Sequence, residues 1–159
     1  MKDSRVIFVI GPSGAGKSSL ANSLAQRIHY HNLSLDRIRE KFQGDTRRAW
    51  LEIWQAVRDG KRVVVDASGA SRIFRLIYRT AVFEQANPII VRLSAQKQSL
   101  RDRLREKRMD VVLLGRGREI TERYLTEGAA STSSDLEIDT TRLTRRQVLE
   151  QVINYLRKR

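Results

Sequence analysis

Arg5-Val6-Ile7-Phe8-Val9-Ile10-Gly11-Pro12-Ser13-Gly14-Ala15-Gly16-Lys17-Ser18 is the stretch that decides the fold of this chain. Arg5 to Ile10 is a continuous β-branched and aromatic run, the pattern of a strand buried on both faces in a parallel sheet. Gly11 to Ser18 matches G-x-x-x-x-G-K-[ST] at every fixed position. Glycines let such a backbone curl round a phosphate, so that its N–H groups and the next helix's N-terminus point at anionic oxygens. Ser18 to Ile28 reads as that helix, with Leu20, Leu24 and Ile28 on one face. A match alone is a turn; a match between a buried strand and an amphipathic helix has the context that confirms the motif. Gly11, Ser13, Gly14, Ala15, Gly16, Lys17, Ser18 and Ser19 are therefore expected to hold a nucleotide. Lys17 would reach the β- and γ-phosphates of ATP, and the Ser18 hydroxyl would ligate Mg²⁺.

Outward from this loop, strand and helix patterns alternate. A second strand is expected to end near Leu33-Ser34-Leu35, followed by a helical turn from Asp36 to Phe42. Gly44-Asp45 ends it and caps a helix carrying Trp50, Ile53, Trp54 and Val57 on one face, with Gly60 closing it. Arg62 to Asp66 is the third strand, and a helix follows from about Ser71 to Gln85. Pro88 to Leu93 is the fourth strand, and a strongly charged helix runs from about Gln96 to Arg108. A helical stretch to Glu127 follows Gly115-Arg116-Gly117-Arg118; beyond it lie a short fifth strand at Leu136 to Ile138 and a helix capped by Thr144. This order predicts a mainly parallel sheet of about five strands, covered by helices on both faces. Trp50 and Trp54 read as core, and His29 and His31, two residues apart on a helix end, do not make a metal site.

The chain has 159 residues, room for one domain, and 1–159 is read as a single unit with no linker. It has no cysteine, which excludes disulfides, thiolate zinc sites and Cys nucleophiles. No apolar run is long enough to span a bilayer, and the N-terminus leads into a glycine-rich turn in place of a cleavage site, so a cytoplasmic location is expected. Thirty-one Lys and Arg against 18 Asp and Glu leave a net charge of +13, which favours polyanionic partners or simply a solubilising surface.

Other residues narrow the chemistry. An N-K-x-D guanine signature is absent, and the third strand ends Val65-Asp66-Ala67, without the Glu that a motor ATPase needs to polarise water. A kinase instead orients a substrate hydroxyl near the γ-phosphate, usually with a carboxylate. Asp36 follows the second strand, where ligands gather in a doubly wound sheet, and Arg39 shares its helix face. Asp36 can take a proton while Arg39 holds an anionic acceptor, or the two form only a surface ion pair.

The order of these motifs resembles the P-loop phosphotransferases that include polynucleotide 5′-hydroxyl, gluconate and adenylylsulfate kinases, the polynucleotide kinase domain above all. Asp36-Arg37-Ile38-Arg39 is similar to its Asp-x-x-Arg, and Val63 to Ser68 to its strand ending Asp-Ala-Ser/Thr. Leu100 to Arg108 and Arg116 to Tyr124 are similar to its basic helix and arginine-bearing lid, and Asp139-Thr140 to the pair that opens the loop bordering adenine. The resemblance implies an α/β, P-loop NTPase-type three-layer sandwich with a small helical lid at about 110–127. It implies that Asp36 is the base or hydroxyl orienter, that Arg39 contacts the acceptor's phosphate, and that Asp66 steadies the acceptor side. Arg118, with Arg116, would clamp the phosphates, and Thr140 would border the nucleotide.

The acceptor is read first as a polynucleotide 5′-hydroxyl. Arg72, Arg75 and Arg79 recur on one helix face with no acid between Asp66 and Glu84, a track for a phosphodiester chain. The alternative is a small-molecule acceptor such as a sugar acid, a nucleoside or nucleotide, or an antibiotic. A nucleotide-binding module without turnover is a third reading. No membrane partner is expected, and the oligomeric state is left open.

Overall fold

The computed structural model describes residues 4–69, 71–106 and 133–159. Its elements in chain order are β1 (Val6–Ile10), α1 (Lys17–Ile28), β2 (His31–Ser34), α2 (Leu35–Lys41), α3 (Thr46–Arg58) and β3 (Val63–Ala67). They continue with α4 (Arg72–Phe83), β4 (Ile89–Ser94), α5 (Lys97–Glu106), β5 (Leu136–Asp139) and α6 (Arg145–Lys158). The five strands form one sheet in the order β2-β3-β1-β4-β5, and each neighbouring pair is parallel.

Strand periodicity divides the core in two. Val6, Phe8 and Ile10 pack with Val63, Val65 and the helices α2, α3 and α4 on one face. Ile7, Val9 and Val64 pack with α1, α5 and α6 on the other. Because β1 and β3 lie inside the sheet, every residue of both strands is buried. This is why their sequences are apolar without alternation. Phe8 meets Phe74 of α4 edge-to-face at 5.2 Å, a geometry worth about 0.5–1.5 kcal/mol beyond burial. The caps expected at Asp45 and Thr144 form: the Asp45 side chain accepts from Arg47 and Arg48 N–H, and Thr144 makes a capping box with Gln147; Ser71 adds a third, accepting from Phe74 N–H.

The second strand ends where expected, within Leu33-Ser34-Leu35. It runs His31–Ser34, and α2 starts at Leu35 without a loop. Among the described residues β2 is an edge strand paired with β3 alone, so it tolerates the exposed His31 and the half-buried Asn32. Trp50 is buried in the core as expected, whereas Trp54 is half-buried beneath the Arg58 guanidinium. Among the described residues no helix is long and apolar enough to cross a membrane.

Candidate active site

The chain runs from β1 out to β2 and back to β3, then crosses β1 to reach β4 and β5. That reversal opens a crevice at the carboxyl ends of β1, β3 and β4, where open α/β sheets bind ligands. A cleft of about 540 Å³ lies there, lined by the loop residues Ser13 to Ser19, by Asp36, and by Arg103 and Thr140.

The loop owes its shape to glycine. A Cβ at Gly11 would collide with the Leu93 carbonyl oxygen of β4, so no other residue lets the chain leave β1 so close to its neighbour. Gly16 caps α1 with φ 94°, which turns the backbone into the helix. The helix N-terminus and the side chains of Lys17 and Ser18 then line the cleft. Lys17 Nζ donates to the Pro12 carbonyl at 3.0 Å, which holds the ammonium over the loop.

Asp66 sits beneath this loop, only 3% exposed. Val64 packs on the α1 side of the sheet, so Asp66, two residues along β3, points to that side as well. Strand register sets Ser34 of β2 beside it. Burial raises the Asp66 pKa above the ordinary carboxylate value. Hydrogen bonds from Ser34 and Ser18 and the charge of Lys17 pull the other way, and nearby Asp36 adds to the rise. One carboxylate oxygen, Oδ2, is buried with no hydrogen-bond partner among the described residues. An orphaned anionic oxygen beside the Ser18 hydroxyl is a donor set that suits Mg²⁺, a hard cation that keeps oxygen ligands and waters. The residues present therefore fit Mg²⁺-ATP, and Asp66 stands where it could join Ser18 in holding the metal, whereas the resemblance put it on the acceptor side.

Asp36 is exposed on the first turn of α2 and pairs with Arg39 at 3.3 Å, the expected i,i+3 contact. An ion pair this open to water contributes little to stability, so both groups stay available to a ligand. Thr140 lines the cleft but is buried and already bonded. Its N–H donates to Ser94 O at 2.8 Å, and its hydroxyl lies 3.1 Å from both Ala15 O and Ser94 O. Arg72, Arg75 and Arg79 stand on the solvent face of α4, outside the cleft lining, beside the exposed Ile73, Leu76 and Phe83. Arg116 and Arg118, with the lid at 110–127, lie outside the described residues.

Arg103 is the residue that sequence reasoning missed. Its guanidinium donates to Thr140 O at 2.6 Å, to Thr140 Oγ1 at 3.0 Å and to Gly14 O at 3.3 Å. It thereby ties α5 to both the phosphate loop and the turn after β5. The signal was present: Arg103 follows Leu100 by three residues and precedes Leu104, and both leucines are buried. Yet the charged residues around it on α5 carry no local pattern that singles it out.

A family model described as AAA domain matches residues 6–131. The chain belongs to the AAA domain family. This AAA domain nonetheless ends β3 with Asp66-Ala67, and Ala67 is buried where a motor ATPase would need Glu. A Thermococcus kodakarensis protein provisionally named an adenylate kinase is 28% identical, over 96% of this chain and 86% of that one. A shikimate kinase from Aliivibrio salmonicida is 26% identical over the full length of both chains. Among solved structures, an APS kinase from Mycobacterium tuberculosis in complex with AMPPNP and APS superimposes with a TM-score of 0.73. That pair is 17% identical, covers 99% of each chain, and so bears on the fold.

Proposed function

We propose that this AAA domain is an ATP-dependent kinase whose acceptor is a small molecule carrying a hydroxyl or phosphate group. The observation that carries the reading is one cleft that holds Asp36 together with Lys17 and Ser18. ATP-dependent phosphoryl transfer is the coarse activity on which this geometry and the kinase relatives agree.

In this reading the loop amides and Lys17 bind the β- and γ-phosphates, while Ser18 and Asp66 hold Mg²⁺ through oxygen. The metal, when bound, neutralises charge on the phosphate oxygens as the γ-phosphoryl group transfers. Asp36 orients the acceptor and accepts its proton if the group is a hydroxyl. Arg39 steadies Asp36 in the open site and turns to an anionic group on the acceptor. Arg116 and Arg118, from the lid expected at 110–127, would close on the phosphates.

A polynucleotide 5′-hydroxyl remains a second reading, favoured only by the three exposed arginines of α4. Transfer from γ-labelled ATP to a panel of AMP, shikimate, gluconate and a 5′-hydroxyl oligonucleotide separates the two. Label on a small acceptor, lost in Asp36→Asn, is the expected result. Label on the oligonucleotide alone would replace the main reading with the second.

A further inference from the structure

A second cavity, of about 400 Å³, opens at the opposite end of the sheet from the phosphate loop. It lies where β1 and β4 begin and where α1 and α6 end, with Ile7, Ile89 and Ile153 as a buried floor. Arg27, Arg62, Arg157 and Arg159 line it, and no Asp or Glu side chain does. Two of these cations are engaged. Arg159 pairs with Asp135 at 2.9 Å, and Arg62 lies over the Tyr30 ring. Arg27 and Arg157 are exposed, and neither forms an ion pair with a described carboxylate.

Both of these arginines lie in the last turn of a helix, Arg27 in α1 and Arg157 in α6. A cation there stabilises the negative end of the helix dipole. That accounts for their charge, but not for four guanidinium groups gathered round one apolar hollow. Like charges repel across such a hollow, and an anion between them removes the repulsion through charge-assisted, bidentate hydrogen bonds. The volume lies within the range of about 300–1,000 Å³ common to small-ligand sites. Its floor is apolar, so an inorganic ion alone would leave it unfilled.

We propose that this cavity binds a small amphipathic anion, with a carboxylate or phosphate head held by Arg27 and Arg157 and an apolar body on the three isoleucines. The inference is independent of the kinase reading, because the cavity shares no lining residue with the catalytic cleft.

Fluorescence of 1-anilinonaphthalene-8-sulfonate with the full chain tests it, with Mg²⁺-ATP present at saturation to fill the phosphate loop. One-site enhancement should appear, reversed by decanoate, by phenyl phosphate or by both, but not by acetate or inorganic phosphate. Displacement by decanoate alone would identify a carboxylate on a chain as the ligand, and displacement by phenyl phosphate alone a phosphate on a compact body. Failure of both, or displacement by the bare ions, would overturn the proposal. The double variant Arg27→Ala/Arg157→Ala should weaken the displacing ligand by about tenfold or more, as for lost charge-assisted bonds. Arg27→Lys/Arg157→Lys keeps the helix-end charge, so it should match the wild-type melting temperature yet bind more weakly. Wild-type affinity in both double variants would sink the idea. In the wild-type chain, decanoate or phenyl phosphate should shift backbone amide resonances at 4–7, 27–30 and 153–159. Shifts confined to the phosphate loop would sink it as well.

Discussion

Lys17 and Asp36 share a cleft but differ in what surrounds them. Lys17 is half-buried on the loop, whereas Asp36 is open to solvent on α2. Lys17→Ala is expected to damage both ATP affinity and turnover, because it removes a cation from the phosphates. Asp36→Asn should leave ATP affinity nearly intact and cut kcat by about 10²-fold or more. Steady-state kinetics with a binding titration checks both, and an Asn variant with more than about half of wild-type turnover would remove Asp36 from its role. Asp66 gives a different signature. Burial raises its pKa, so the native state binds the proton more tightly than the unfolded chain does. The stability from that proton is complete below the ordinary value of 3.8 and is lost as pH rises through the higher folded value. Above that folded value the fold carries a buried charge that Asp66→Asn would remove. That variant should melt higher than wild type at pH 7, with the gap closing as pH falls towards 4, while its Mg²⁺-dependent activity collapses. A melting series without Mg²⁺ or nucleotide checks the sign, and an Asn variant that melts lower at pH 7 would contradict it.

At the scale of elements, the site depends on contacts between segments distant in sequence. Ser34 is the N-cap of α2, yet its hydroxyl does not cap the helix; it faces Asp66 across the β2–β3 register. An N-cap bond worth about 1 kcal/mol is forgone there, in a helix of seven residues. Arg103 does similar work for α5, since its bonds to Gly14 and Thr140 connect the helix to two loops at the mouth of the cleft. Arg103→Ala would leave the Thr140 and Gly14 carbonyls short of a donor, with an expected loss of about 1–3 kcal/mol. Loosening the loop should raise the KM for ATP more than it lowers kcat. Chemical denaturation and ATP titration of the same variant check this, and a variant with unchanged KM would show that the clamp does not shape the nucleotide site.

Across the whole molecule, the net charge of +13 and the α4 arginines bear on the acceptor. The arginines alternate with exposed Ile73, Leu76 and Phe83, so the helix face is mixed, not a continuous basic track. Arg75→Ala is expected to leave transfer to a small acceptor unchanged. If a single strand did bind along α4, each phosphate contact would contribute about −0.7 to the slope of log affinity against log salt. The same substitution would then make that slope shallower by under one unit. Oligonucleotide titrations across a salt series decide between these outcomes.

The alternation of buried strands and amphipathic helices, the phosphate loop, the caps at Asp45 and Thr144 and the pairing of Asp36 with Arg39 were all legible in the sequence. Each is a local pattern: hydrophobic periodicity, a turn that demands glycine, a side chain reaching its own backbone, or neighbours on one helix face. The sequence by itself therefore determined a parallel α/β domain with a nucleotide loop after its first strand. Strand order, and with it everything that meets across strands, was decided only by the tertiary structure. Insertion of β1 between β3 and β4 places Asp66 beneath Lys17 and Ser18 and brings Arg103 onto Gly14, while the pairing of β2 with β3 draws Ser34 away from its own helix. Residues far apart in the chain acquire these partners because the sheet must bury both faces of its central strands, and no local pattern records which strands become neighbours.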